Sequence, residues 1–194
     1  MKSIALFAAT SIAAAAFATA KPAPDFSVRN TAGETVSLAD LKGKTVVLEW
    51  VNFDCPFVKK HYESGNMAKL QEKYTGKGVV WLTVSSAAEK GKNHVAPDAL
   101  AARAKKEGNK ATHILVDGDG KMGKAYDAKV TPHMFVIDSK GELAYDGAID
   151  SKATPDAADV ATADPLFANA LDAVLAGKEV VNAKNKPYGC GVKY

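Results

Sequence analysis

Residues 45–60 read TVVLEWVNFDCPFVKK. The first nine, Thr45 to Phe53, are rich in β-branched and aromatic side chains, the composition of a buried strand. Pro56 follows almost at once. Proline is favoured at the start of a helix, where its missing N–H has no intrahelical partner to lose, so a helix is predicted from Pro56 toward Ser64. Cys55 falls on the junction. The free amides and the dipole of a helix N-terminus favour negative charge, and a cysteine placed there has a lowered pKa and is partly thiolate at neutral pH. Lys59 and Lys60, one turn on, add positive potential, and Asp54 opposes it if it faces the sulfur. His61 either supports the thiolate or faces water. An isolated cysteine is more often a small core residue, but the strand–Cys–Pro–helix setting reverses that reading.

The flanking elements follow the same logic. Asp25 to Arg29 reads as a short extended segment, and Ser37 to Gly43 as one capped helical turn ending at a glycine. Gly65 and Asn66 interrupt the helix begun at Pro56, and Met67, Leu70 and Tyr74 continue at helical spacing. Strands are predicted over Val79 to Ser86, Thr112 to Val116, Met134 to Asp138 and Glu142 to Ile149. Pro97 to Glu107 and Met122 to Ala128 read as helices. Residues 151–164 form a polar, alanine-rich loop. Leu166 to Leu175 carries apolar pairs at i,i+4, an amphipathic helix for covering a sheet. This order predicts an α/β fold with a central mixed sheet flanked by helices, a parallel pair coming from the crossovers and an antiparallel edge from the last hairpin.

With 194 residues, 47% hydrophobic and 24% charged, the chain can form one packed domain, which excludes intrinsic disorder and a multi-pass membrane protein. The net charge is only +3 and Arg29 and Arg103 are the sole arginines, which excludes nucleic-acid binding as a primary role. Residues 1–20, MKSIALFAATSIAAAAFATA, have the layout of a secretory signal peptide: Lys2, an uncharged apolar run, and a small-residue Ala18-Thr19-Ala20 site. Export to a periplasm or another secreted compartment is expected, with no membrane contact after cleavage. Residues 21–177 then form the folded domain and 178–194 a tail carrying Cys190. In an oxidising compartment Cys55 and Cys190 can pair; such a bridge would close a loop of about 135 residues, worth roughly 5 kcal/mol in the chain-entropy account.

The segment WVNFDCPFV resembles the active-site segment of the thioredoxin superfamily, in which a strand delivers a cysteine onto a helix. Three further features agree. Glu49, six residues before Cys55, stands where thioredoxins place a buried carboxylate that accepts and returns a proton. Thr131-Pro132, directly before a strand, resembles the superfamily's cis-proline turn, which lies against the reactive sulfur. The closing PYGCGVKY is similar to the C-terminus of the redoxin or peroxiredoxin-like (AhpC/TSA) branch. The resemblance implies a thioredoxin-like sandwich over residues 25–194 and a thiol-based oxidoreductase needing no cofactor.

The departures from those families narrow the chemistry. Val58 stands at the fourth position of C-x-x-C, so Cys55 has no neighbouring partner. Leu48 and Asn52 occupy the Pro and Thr positions of the peroxiredoxin motif, and Pro132 the place of its arginine. Cys190, between two glycines that permit close approach, is the candidate resolving thiol on a flexible tail. In the implied scheme Cys55 attacks a protein disulfide or a small peroxide, Cys190 resolves the product, and an external thiol resets the pair. The competing reading is a static bridge pinning the tail. Thiol peroxidase is the alternative activity. A non-catalytic binding or copper-handling module is a second, because His133 follows the proline turn and Cys55, His133 and Cys190 would make a soft metal set. The C-x-x-x-C of copper-delivery proteins fails here, with Lys59 in its second position, and no metal is assigned.

Overall fold

The computed structural model describes residues 21–88, 91 and 94–194. The expected signal segment, residues 1–20, lies outside the described residues, as do positions 89, 90, 92 and 93, within the polar loop that the sequence predicts over residues 87–96.

The elements in chain order are β1 (Lys21–Pro22), β2 (Ser27–Arg29), β3 (Thr35–Ser37), β4 (Val46–Trp50), α1 (Pro56–Glu63), α2 (Asn66–Thr75), β5 (Val80–Ser85), α3 (Pro97–Lys106), β6 (His113–Val116), α4 (Lys121–Ala125), β7 (Val130–Thr131), β8 (His133–Ile137), β9 (Glu142–Gly147), α5 (Leu166–Leu175) and β10 (Cys190–Gly191). Two 3-10 turns, Leu38–Leu41 and Ala157–Thr162, complete them. Local signals set several boundaries. Ser37 caps the first 3-10 turn through Asp40 N, and Gly65, at φ 70°, separates α1 from α2 in the left-handed region that glycine enters without steric cost.

Six strands form one sheet in the order β1-β9-β8-β4-β5-β6. β4, β5 and β6 are parallel; β8, β9 and β1 add on antiparallel. This is the mixed-sheet sandwich implied by the resemblance, with one difference. The β8–β9 hairpin is not the edge, because β1 pairs outside it through Lys21↔Leu143 and Pro22↔Glu142. Two residues carry no readable periodicity, so that strand left no signal in the sequence.

All five residues of β4 are buried, as expected for a central strand covered on both faces. Val46, Leu48 and Trp50 pack with Phe135, Ile137, Met122 and Tyr126 on one face. Val47 and Val51 pack with Met134, Val136 and Trp81 on the other, beneath α1, α2 and α5. Phe167 of α5 is fully buried there, its ring meeting Trp81, Tyr145 and Tyr74 at 5.3, 6.3 and 6.4 Å.

The C-terminal segment is docked along much of its length, in contrast to the flexible tail expected from sequence. Asn185 accepts from Ala148 N at 2.8 Å and donates to the Tyr145 hydroxyl at 2.9 Å. β10 pairs antiparallel with β7, Cys190 opposite Thr131. Val192 N donates to Lys129 O at 3.0 Å, and the Tyr194 hydroxyl to Ala128 O at 2.6 Å.

Candidate active site

Cys55 is the N-cap of α1, in extended geometry (φ −69°, ψ 125°), with Pro56 the first helical residue. Its carbonyl accepts from Val58 N and Lys59 N at 3.0 and 2.9 Å, while its own N–H donates to Asn52 O at 2.9 Å. The sulfur therefore sits where β4's exit meets the first turn of α1. It is 2% exposed.

The Thr131–Pro132 peptide is cis. The Thr131 carbonyl oxygen lies 3.1 Å from Cys55 Sγ and accepts the thiol proton. The tail lies against the same turn: Cys190 pairs with Thr131 and packs against the cluster that holds Cys55. Both cysteines are free thiols in this structure.

This juxtaposition separates the two thiols electrostatically. Burial alone would raise the Cys55 pKa. Hydrogen bonds from the Cys190 thiol, the Thr131 side chain and the N–H groups of Val58 and Cys190 outweigh it and hold Cys55 below the ordinary thiol range. The thiolate gives up the bond to Thr131 O in exchange for these donors. Burial, its hydrogen bond to Cys55 and the Cys55 charge push Cys190 up to about 11, with Lys193 a lesser opposing influence. At neutral pH Cys55 is thus the sulfur favoured as anion, and Cys190 keeps its proton.

The supporting residues predicted from sequence divide. Thr131 meets the sulfur through its carbonyl oxygen, Pro56 follows Cys55 as the first helical residue, and Pro132 completes the cis bond beside Thr131. Lys59 is half-buried on the first turn of α1. Lys60 does not lend its charge to the sulfur: it is 1% exposed, with Nζ 3.3 Å from Asp150 Oδ2 and donating to Lys152 O at 2.7 Å. His61 neither faces water nor is charged at neutral pH, since burial holds it down at about 4 against the pull of Asp150. Asp54 is exposed and turns to Arg103 Nη1 at 3.3 Å. Arg103 also donates to Phe53 O at 3.2 Å and to Glu107 at 2.6 Å, tying α3 to the segment before Cys55.

Glu49 is fully buried. It accepts hydrogen bonds from Tyr62 (2.8 Å), Trp81 (2.8 Å), Gln71 (2.9 Å) and Thr83 (3.2 Å). Burial pushes its carboxyl up to about 7 and these donors oppose the rise. Its hydrogen bonds among the described residues go to this network and none to Cys55.

His133 is a correction. It alternates with Phe135 and Ile137 on β8, the residues that face Trp50 and Leu48 on the side of the sheet away from the Cys55 cluster. Its ring stacks on Phe135 at 4.2 Å and bonds Asp146 at 2.8 Å. The set of Cys55, His133 and Cys190 is therefore not assembled, and among the described residues no group of three or more His, Cys, Asp or Glu is placed to hold a metal.

Beside the junction lies a cavity of about 250 Å³ bordered by Asn52, Phe53, Arg103, Thr131 and Val192. The tail supplies one of its walls. Sequence reasoning missed Arg103's approach and the tail's anchorage at Asn185 and Tyr188, because each contact joins positions far apart in the chain.

Comparison with known proteins agrees with this geometry. The Redoxin family matches residues 18–164. The thioredoxin-like protein YneN of Bacillus subtilis strain 168 is 33% identical over 123 residues, covering 62% of this chain and 66% of that protein, just under two thirds of its length. The crystal structure of an uncharacterized conserved protein from Geobacillus kaustophilus is 28% identical with a TM-score of 0.74, covering 90% of this chain and 91% of that one. The solution structure of a candidate thiol–disulfide oxidoreductase from Bacteroides vulgatus is 27% identical with a TM-score of 0.50, covering 62% and 74%. The family match over residues 18–164, on a mixed sheet with a strand–cysteine–helix junction, makes this chain a member of the Redoxin family with a thioredoxin-like fold.

Proposed function

We propose that the protein exchanges disulfides through Cys55 and Cys190. The Cys55 thiolate attacks one sulfur of a substrate disulfide, breaking that S–S bond and expelling the other sulfur as a thiolate. Cys190, losing its proton, then attacks the Cys55 sulfur of the mixed disulfide. The second substrate sulfur leaves as a thiolate, and the Cys55–Cys190 disulfide remains. Two electrons pass to the substrate; the proton lost by Cys190 and one from solvent end on its two thiolates. An external thiol reverses the sequence. The protein substrates of an exported, oxidising compartment, expected from residues 1–20, would supply such disulfides.

The observation that carries this reading is the pairing of Cys190 with Thr131, whose carbonyl oxygen lies 3.1 Å from Cys55 Sγ, so that the tail cysteine and the junction cysteine meet at one turn; there Cys55 is shifted down and Cys190 up. Because Cys55 is 2% exposed, substrate enters only when β10 lifts from β7. The tail-docked form is the closed resting state. Peroxide chemistry is less well served. Arg103 is committed to Asp54, Phe53 O and Glu107, and Lys60 to Asp150 and Lys152 O.

The test mixes reduced protein with oxidised glutathione and, separately, hydrogen peroxide, followed by intact mass. Disulfide exchange predicts that Cys190→Ser accumulates a stable glutathione adduct on Cys55 and that the unaltered protein passes through it to the internal disulfide. Failure of Cys55 to form the adduct, with oxidation by peroxide faster than that of a free thiolate, would replace this reading by a peroxidase.

A further inference from the structure

A buried polar cluster lies behind Cys55 and takes no part in the chemistry above. Lys60 and His61 project from α1, the helix that Cys55 caps, and Asp150 follows β9. All three are 5% exposed or less. Their common neighbour is the hydroxyl of Tyr188, two residues before Cys190. Tyr188 donates to Asp150 Oδ1 and stands 3.3 Å from His61 Nε2 and 3.5 Å from Lys60 Nζ. The other face of the cluster is closed: His61 Nδ1 meets Asn66 at 2.9 Å, and Lys60 bonds Lys152 O. Among the described residues Asp150 Oδ2 accepts no hydrogen bond and is met by the Lys60 and His61 nitrogens at 3.3 and 3.7 Å.

A buried ion pair is costly to desolvate, and replacing such a pair with apolar side chains is often neutral or stabilising. Its presence directly under the tail therefore calls for a role beyond stability. Tyr188 reaches it through a side chain that also packs on Phe57 at 5.8 Å. Only Gly189 separates this anchor from Cys190. Gly189, at φ 141°, passes so close to Thr131 O that a Cβ would stand 2.0 Å from it. The anchor and the close approach leave the Cys190 sulfur little freedom.

We propose that Tyr188 is a positioning residue: bonded to the Lys60–Asp150–His61 cluster on and beside α1, its hydroxyl fixes the tail so that Cys190 meets Cys55 in line for disulfide formation. The redox part of this inference rests on the exchange reading above; the thiol-titration part does not. Tyr188→Phe isolates the hydroxyl. The ring and its contact with Phe57 remain, and Asp150 Oδ1 keeps the bond from Lys152 N at 2.9 Å.

Two measurements are made, the first with Cys190 present and the second both with Cys190 present and with Cys190→Ala. In glutathione buffers, the Cys55 thiolate attacks oxidised glutathione, one glutathione leaves, Cys190 displaces the second, and two reduced glutathiones balance the internal disulfide. The equilibrium gives the effective concentration of Cys190 at Cys55. A hydrogen bond to a charged partner predicts a fall of about tenfold or more for Tyr188→Phe. In the reduced protein, the pH profile of Cys55 alkylation shifts upward with Tyr188→Phe, because the Cys190 donor is no longer held in place. With Cys190→Ala the same substitution leaves that profile unmoved.

An unchanged effective concentration, or an upward shift of Cys55 that persists in Cys190→Ala, overturns the positioning role, the latter by showing that Tyr188 acts on Cys55 through the helix alone. If no internal disulfide forms even in the unaltered protein, the exchange reading fails. The titration pair still decides whether Tyr188 places Cys190.

Discussion

Substituting Gly189 by alanine should prise the tail from the active site. The added Cβ would stand 2.0 Å from Thr131 O and 2.6 Å from Thr131 C. Non-bonded heavy atoms separate at about 3.5 Å, so the tail or the turn must move by about 1.5 Å, more than the β10–β7 hydrogen bonds tolerate. The Thr131–Pro132 turn is buried between β4 and the tail, so the tail yields. Cys190 then leaves Cys55, and its pKa falls from about 11 toward the free value of about 8.5. At pH 8.5 its thiolate fraction rises from about 0.3% to about half, roughly 150-fold. Intrinsic nucleophilicity falls over the same interval by about 13-fold, leaving a net gain in alkylation rate of about tenfold. Iodoacetamide labelling at pH 8.5, resolved by peptide mass spectrometry, reads this directly. Labelling of Cys190 in Gly189→Ala at the unaltered rate, with the Val192 amide still protected from exchange by Lys129 O, would refute the reasoning.

Two further substitutions probe the scaffold. Glu49 has a folded-state pKa of about 7 against an ordinary 4.5, so the folded protein binds this proton more tightly; its contribution is full below about pH 4.5 and is lost as pH rises toward 7. The difference is about 3 kcal/mol by pH 7, and urea unfolding at both pH values should show that much of the slope vanishing in Glu49→Gln; equal slopes in the two proteins would contradict it. Phe167→Ala empties the fully buried contact among Tyr74, Trp81 and Tyr145 and should cost about 3–5 kcal/mol in denaturant unfolding. A loss below about 1 kcal/mol would mean that the site collapses to fill the space.

What could be read from sequence was local. The Cys55–Pro56 junction, the Ser37 cap and the Gly65 break each depend on residues within a turn of one another, so their signals lie side by side in the chain. The two-residue strands β1, β7 and β10 do not: each exists only because a distant partner offers free backbone groups, and a pair of residues has no period. Glu49 and His133 show a different obstacle. Both faces of β4 and β8 are buried, so no polar–apolar alternation betrays which face a residue takes. Glu49 shares the face of Val47 and Val51, and His133 that of Phe135, which sends the histidine away from the sulfur. The Tyr188 anchor joins α1, the segment after β9 and the tail, and nothing in the local sequence around Tyr188 marks it.

The account stands on Cys55 being held as an anion at the strand–helix junction with Cys190 as its donor. The most direct measurement is the pH dependence of Cys55 alkylation in the reduced protein and in Cys190→Ala. The expected result is an apparent pKa below the ordinary value of about 8.5 in the unaltered protein and a rise when the Cys190 thiol is removed. A Cys55 that titrates at or above the ordinary value, unmoved by loss of Cys190, would contradict it.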